Sequence, residues 1–425
     1  MPLPGDSVPL TIEKPAAGGR MIARLSGQVV LVGGAIPGER VTARIERVGK
    51  GVLYADTISV DDASPDRRPV TGDPLCGGCL YAHIEYARQL EIKTQVIADA
   101  FGRIGRLKLP SDVHVVRSPE EGYRMRARLH VRGRRGGFFR EGTHDVCDAR
   151  LTRQLLPATC DTLDRLIAGL ATLGLDTIRE IELSENVDAS DRVACFDAES
   201  AIDAGAFGRL AEIEGLTGLG RDASVTDRIT IGDSRPVVLR RNVLSFFQSN
   251  RYLLRDLVAH VVGLVPSGID LLDLYAGAGL FAIATAANRQ ARVVAVEGDR
   301  VAVADLMVNA AAYASVEVCH QAVEAFLEAP VRQPALIVVD PPRTGMSRAA
   351  LDGVLRLRAG RIIYVSCDVA TLARDARRLV DAGYAIERVD AFDLFPNTPH
   401  VETVVVFDRS NRGSGLVSRV NNCKV

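Results

Sequence analysis

Between residues 10 and 60 apolar and polar side chains alternate in short runs, MIARL, QVVLV, RVTARIERV and VLYADTISV, separated by glycine-rich turns and by PGE at 37–39. A period of two turns one strand face inward and the other to water, so short strands joined by tight turns predict a small β-barrel. A Pro- and Asp-rich stretch at 61–75, DDASPDRRPVTGDPL, breaks the pattern and reads as a linker. From about 76 to 235 the pattern is mixed, with helical spacing over 85–105 and 151–173 and strands between and after them as far as VTDRITI at 225–231. Beyond 235 it becomes regular: helices over 247–264, 279–288 and 300–312 alternate with apolar runs at 271–275, 292–297, 335–339 and 361–366. Strands separated by helices of this length predict βαβ units in a parallel sheet. The expected organisation is a β-barrel over 1–62, a central α+β domain over 63–235 and an α/β domain over 236–409. The tail at 410–425 has no pattern and is expected to be disordered.

At 425 residues, 47% hydrophobic and 25% charged, the chain has the composition of a globular protein able to bury several cores. Its first residues carry no basic start or long apolar run, and no stretch of about 18 apolar residues occurs anywhere, which disfavours export and membrane insertion. A cytoplasmic monomer is expected. The eight Cys, at 76, 79, 147, 160, 195, 319, 367 and 423, are not spaced as a disulfide framework and are expected to be free thiols, ligands or nucleophiles. Net charge is −1, yet the run from Tyr123 to Arg140 carries seven Arg and no acid, interleaved with Tyr123, Phe138 and Phe139. Such a run, with Arg132, Arg134 and Arg135 closest together, predicts a surface for phosphates and bases.

Three segments of the α/β half carry candidate chemistry. In LLDLYAGAGLFAIATAA a strand runs into Gly277-Ala278-Gly279 and then a helix, and Glu297 closes the next strand 20 residues after Gly277. Glycines let backbone approach a ligand at a helix start, and a carboxylate ending the second strand can accept hydrogen bonds from ribose hydroxyls. The third glycine of a pyrophosphate-binding loop is absent, which favours S-adenosylmethionine (SAM) over NAD. Asp340-Pro341-Pro342-Arg343 follows the apolar strand ALIVV, and paired prolines make a rigid loop able to present Asp340 to a flat base. In RIIYVSCDVATLARD, Cys367 sits between a strand and a helix start, where the helix dipole is expected to lower a thiol pKa. Glu402 lies inside the apolar segment PNTPHVETVVVF, and burial there would raise its pKa toward that of a general base.

Together these segments resemble the SAM-dependent RNA uridine C5-methyltransferase family over nearly the whole chain. GQVVLVGGAIPGERV resembles the TRAM β-barrel, YRMRARLHV and GGFFREGTHD resemble the central domain, and LSFFQSN, DLYAGAG, VVAVEGD, VVDPPRTG, YVSCD and TPHVETVVVF follow in the family's order. The resemblance implies a class I, Rossmann-like methyltransferase domain that makes 5-methyluridine in rRNA or tRNA, rRNA being favoured. It implies Cys367 as nucleophile and Glu402 as base, and Gln248, Tyr275, Gly277, Gly279, Glu297 and Asp340 around SAM. Phe246 would stack on the target base, with Arg343 also on the substrate side. Many members hold a [4Fe–4S] cluster by C-x5-C-G-G-C and a later Cys. Here Cys76 and Cys79 are kept, but the other two positions fall on Val70 and Thr152, so even with Cys147 the set is incomplete and neither a cluster nor another metal is expected. The alternatives are an RNA-binding protein with the fold but no catalysis, and methylation at another base position.

Overall fold

The computed structural model describes residues 2–70, 72–197, 202–232 and 236–409; the 410–425 tail, with Cys423, lies outside the described residues. Five strands, Ser7–Pro15, Met21–Leu25, Gln28–Gly33, Arg40–Val48 and Val52–Asp62, close into a barrel. Every second residue points inward, burying Leu10, Ile12, Met21, Ala23, Val30, Val32, Val41, Ala43 and Ile45. The second and third strands are joined by Ser26-Gly27, both at positive φ, the two-residue turn whose twist suits a hairpin.

The central six-stranded sheet runs Gly218–Leu219, Arg192–Asp197, Glu180–Glu185, Arg126–Arg132, Arg135–Phe139, Val146–Asp148. The helix Pro157–Thr172 buries Cys160, Leu163, Leu166, Ile167 and Leu170 in the same core as Leu129, Ile181 and Leu183. The helix expected from 151 begins six residues later, because Arg153 adopts φ 58° and Pro157 fits the first helical turn.

The large sheet has eight strands in the order Val316–His320, Arg292–Glu297, Asp270–Leu274, Leu336–Val339, Arg361–Ser366, Glu402–Arg409, Tyr384–Phe392, Val115–Val116. Glu402–Arg409 runs antiparallel to both neighbours, and the other pairings are parallel. The inner strands LIVV and RIIYVS are buried on both faces, as a sheet covered by helices on both sides requires. The helix Tyr86–Ala100 and the strand Val115–Val116, which the chain order groups with the central segment, belong to this sheet instead. The strand pairs with Ala391 and Phe392, and the helix packs on the helix Val369–Asp381. The helix expected over 247–264 starts only at Leu254, since Phe246 to Asn250 form a loop and the Asn250 side chain accepts the Tyr252 and Leu253 amides, both at 3.0 Å. Among the described residues no helix is long and apolar enough to cross a membrane.

Candidate active site

The carboxyl ends of the parallel strands form the floor of the site. After the strand Asp270–Leu274 the chain passes through Tyr275 (φ 62°), Gly277 (φ 55°) and Gly279 (φ 94°) into the helix Leu280–Arg289. A Cβ on Gly279 would lie 2.6 Å from Leu306 Cδ1, so the turn is closed to any side chain there, whereas the Cβ position of Gly277 has nothing within 4 Å. Glu297 Oε2 accepts the Gly277 amide at 2.7 Å and its Oε1 accepts the Asp299 amide at 2.6 Å, which ties the second strand to the glycine loop. Gln248 Nε2 donates to Asp340 Oδ2 at 3.3 Å. Burial pushes Asp340 up to about 7, against the pull of the Gln248 amide.

Asp273, absent from the residues singled out in the sequence, is 1% exposed, and its carboxylate oxygens make no well-formed hydrogen bond, with the Ala282 amide nearby only weakly offsetting their burial. Burial, then the charge of Asp340, holds it protonated well above the ordinary carboxylate range. The signal was present in the sequence as one acid inside the apolar run LLDL. An orphaned buried carboxylate beside an open glycine loop and a second-strand Glu fits a cofactor that joins a cation to a ribose, as SAM does. Tyr275 departs from that group. Its backbone opens the glycine loop, but its ring lines a cavity of about 720 Å³ with Glu324, Pro342, Met346 and Leu351.

On the other side of Asp340, Ser366 is paired with Thr403, which sets Cys367 opposite Glu402 one step beyond the last ladder pair. Opposed residues of an antiparallel pair have Cβ atoms about 5 Å apart, so thiol and carboxylate share one pocket. Asp368 caps the following helix by accepting the Ala370 and Thr371 amides at 3.1 and 2.8 Å. Glu402 is 2% exposed and its Oε1 has no partner. Burial and the Asp340 charge raise its pKa well above normal, against the Arg343 guanidinium.

The thiol does not titrate as the helix dipole alone would predict. Burial pushes Cys367 up to about 12, the charges of Glu402 and Asp340 add to this, and the hydrogen-bonded Arg343 opposes it. Two carboxylates at close range outweigh the helix end, whose contribution is about 1 kcal/mol. At neutral pH the thiolate fraction in this pocket is therefore below about one in 10,000. Iodoacetamide should accordingly alkylate Cys367 slowly, its rate rising about tenfold per pH unit from 7 to 10 without a plateau, as followed on the Cys367 peptide by mass spectrometry. A plateau near pH 8 would show a low-pKa thiol.

The arginine run divides into two groups. Arg124 is half-buried, donates to Gln154 Oε1 at 2.8 Å, and lies 4.9 Å from the Phe138 ring centre and 5.7 Å from that of Phe395. Arg126 and Arg128 pair with Glu182 at 3.3 and 2.5 Å, and Arg140 pairs with Asp73 at 2.9 Å. These four are structural: an amide distant in sequence accounts for Arg124, and paired acids distant in sequence account for the other three. Arg132, Arg134 and Arg135 are exposed at a hairpin tip and make no ion pair among the described residues. Replacing these three by Ala should weaken RNA binding and flatten its salt dependence by roughly 0.7 in log–log slope for each phosphate that is no longer neutralised. Filter binding across a salt series measures this, and an unchanged slope would mean that these arginines neutralise no phosphate.

The cysteines correct one expectation. Cys76 and Cys147 form a disulfide, their Cα atoms 6.0 Å apart, so the chain is not one of free thiols throughout. The β-bridge between Cys76 and Arg140 brings the CGGC turn to the hairpin that ends at Val146–Asp148. Cys79 lines a cavity of about 330 Å³ with Cys76, Cys147 and Thr152, and a second of about 160 Å³ with Val70 and Thr152. Burial and then Asp73 push the Cys79 thiol up to about 12. With two sulfurs bonded to each other, the donors here do not fit an iron–sulfur cluster. Among the described residues no group of three or more His, Cys, Asp or Glu is arranged to hold a metal ion.

A Rossmann-like sheet with a glycine loop, a second-strand Glu and buried acids at the ends of its central strands is the architecture of a class I SAM-dependent methyltransferase. Residues 218–410 match the family model for tRNA (Uracil-5-)-methyltransferase, and residues 3–58 match that of the TRAM domain. The chain is 32% identical to the 23S rRNA (uracil(1939)-C(5))-methyltransferase RlmD of Methylococcus capsulatus, over 96% of this chain and 98% of that one. It is also 32% identical to the protein of the same name from Pseudomonas putida, over 94% and 93%. The solved Pyrococcus abyssi tRNA (uracil-54, C5)-methyltransferase with S-adenosyl-L-homocysteine superposes with a TM-score of 0.71 over 94% of this chain and 99% of that one, at 24% identity. The chain belongs to the RNA uracil-C5-methyltransferase family, whose members are SAM-dependent enzymes acting on RNA.

Proposed function

We propose that this enzyme forms 5-methyluridine in ribosomal RNA, with Cys367 as nucleophile and Glu402 as general base. The observation that carries the reading is the placement of Cys367 opposite Glu402 across the two inner strands, beside Asp340. SAM, when bound against Gly277, Gly279, Glu297, Asp273 and Asp340, supplies an electrophilic methyl group on a sulfonium. Uracil C5 is too weak a nucleophile unless a thiolate first adds at C6. Cys367 Sγ forms the bond to C6, its proton passes to Asp340 so that Glu402 stays free to accept a proton later, and the C5=C6 electron pair moves toward C5 and O4. Arg343, hydrogen-bonded to the thiol, offsets the negative charge as sulfur gives up its proton. Once C5 bears the methyl group, Glu402 takes the C5 proton, the double bond re-forms and sulfur leaves as thiolate. The buried, otherwise unpartnered Oε1 of Glu402 suits that step because it is free of a competing donor.

Phe246 is 61% exposed in the loop beside Gln248, which suits it to stack on a base drawn out of its helix or loop. The barrel over 1–62, the central domain over 63–235 apart from the helix Tyr86–Ala100 and strand Val115–Val116, and the exposed Arg132, Arg134 and Arg135 serve to hold the RNA, and 236–409 with that helix and strand carries the chemistry. The names of the two relatives at 32% identity support rRNA as the substrate class. Isotopically labelled SAM incubated with rRNA and tRNA from cells lacking the enzyme, followed by nucleoside mass spectrometry, tests the proposal. Labelled 5-methyluridine is expected in 23S rRNA. Label confined to tRNA would move the substrate class, and label in neither RNA would overturn it.

A further inference from the structure

The loop from Asp393 to His400 delivers Glu402 to the pocket, and it is gripped chiefly from the N-terminal half of the chain. Asn397 is held in a left-handed conformation, φ 63°. Gln89 Oε1 accepts its amide at 2.9 Å, Gln89 Nε2 and Arg68 Nη2 donate to its Oδ1 at 2.9 and 2.8 Å, and its carbonyl accepts the Tyr81 amide at 2.9 Å. Lys93 Nζ, one helical turn after Gln89, donates to Asp393 Oδ1 at 2.5 Å and to the Phe395 carbonyl at 3.2 Å; its side chain is 1% exposed and that of Asp393 0%. Tyr123 Oη donates to the Pro396 carbonyl at 3.2 Å. The barrel turn abuts the loop as well, since a Cβ on Gly19 would stand 3.0 Å from Pro399 Cγ. The catalytic domain itself contributes Asn250 Nδ2, which donates to the Leu394 carbonyl at 3.0 Å.

We propose that Gln89 and Lys93, on the helix Tyr86–Ala100, are positioning residues for the general base. They fix the loop so that Glu402 enters the pocket at the distance its proton transfer needs, which makes the N-terminal half part of the catalytic geometry as well as an RNA holder. The inference rests on Glu402 being the base. Gln89 presents donor and acceptor together to one Asn, a two-point grip that sets orientation as well as distance, and the buried Lys93–Asp393 pair pins the loop's other end. Proton transfer is steep in distance, and a misplacement of about 1 Å can cost on the order of a hundredfold in rate.

The test uses the full chain with Gln89→Ala, Asn397→Gly and Glu402→Gln. Asn397→Gly keeps the left-handed backbone and both backbone hydrogen bonds and loses only the side-chain grip, so it serves if Gln89→Ala folds poorly. Both loop variants are expected to bind SAM within about twofold of the unaltered enzyme, to lose about tenfold or more in kcat with little change in KM for RNA, and to accumulate the covalent RNA adduct. If Glu402→Gln traps the adduct while both loop variants turn over normally without one, the positioning role is overturned and the base assignment stands. Loss of SAM binding and thermal stability with no adduct would overturn it too, as the mark of a merely structural role. If Glu402→Gln turns over normally, the base assignment fails and this inference fails with it.

Discussion

Cys367→Ala is expected to abolish methyl transfer, by at least about 10⁴-fold, while SAM binding stays within about twofold of the unaltered enzyme. The thiol lies outside the residues proposed to hold SAM, which are the glycine loop, Glu297, Asp273 and Asp340. The charged groups that act on the thiol are the Glu402 and Asp340 carboxylates and the Arg343 guanidinium, none of which takes its place in adding to C6. Single-turnover transfer from labelled SAM together with calorimetric SAM binding separates the two quantities. Appreciable turnover in the variant would point to methylation of an exocyclic nitrogen, which needs no thiol.

Glu402→Gln should slow release far more than addition, so the enzyme should accumulate on RNA as a denaturant-resistant band, with turnover reduced about 10²- to 10⁴-fold. Gln keeps the volume and the strand pairing of Glu402 with Phe392 but cannot take the C5 proton. The band should vanish in the Cys367→Ala, Glu402→Gln double variant, which ties the adduct to that sulfur. Normal turnover without an adduct would mean that the C5 proton leaves to another group.

The βαβ half of the chain was legible because its inner strands are uninterrupted apolar runs, and the barrel because its alternation is clean between glycine turns. Two strands of the large sheet left weaker marks. Val316–His320 is a half-buried edge, and Tyr384–Phe392 interleaves Glu387, Arg388 and Asp390 among its apolar residues, so neither has the buried strand's pattern. The strand Val115–Val116 is two residues long, and its place beside Phe392 depends entirely on tertiary pairing. In the site, motif order pointed to Cys367 and Glu402, but only the strand register shows them facing each other. The expected low thiol pKa considered the helix end alone and missed the burial of the thiol and the two carboxylates brought to it by the neighbouring strands, which lie far apart in sequence. Asp273 could have been found as a lone acid in an apolar strand. Gln89 and Lys93 could not, since nothing in their helix indicates that its partners lie some 300 residues away.

The central claim is that the methyl group enters at C5 as the C5 proton leaves. RNA carrying tritium at uridine C5 and SAM carrying a ¹⁴C methyl group measure both events in one tube. The account predicts tritium release to water equal to methyl incorporation throughout the time course, and neither event in Cys367→Ala. Methyl incorporation without tritium release would place the new bond on another atom and contradict it.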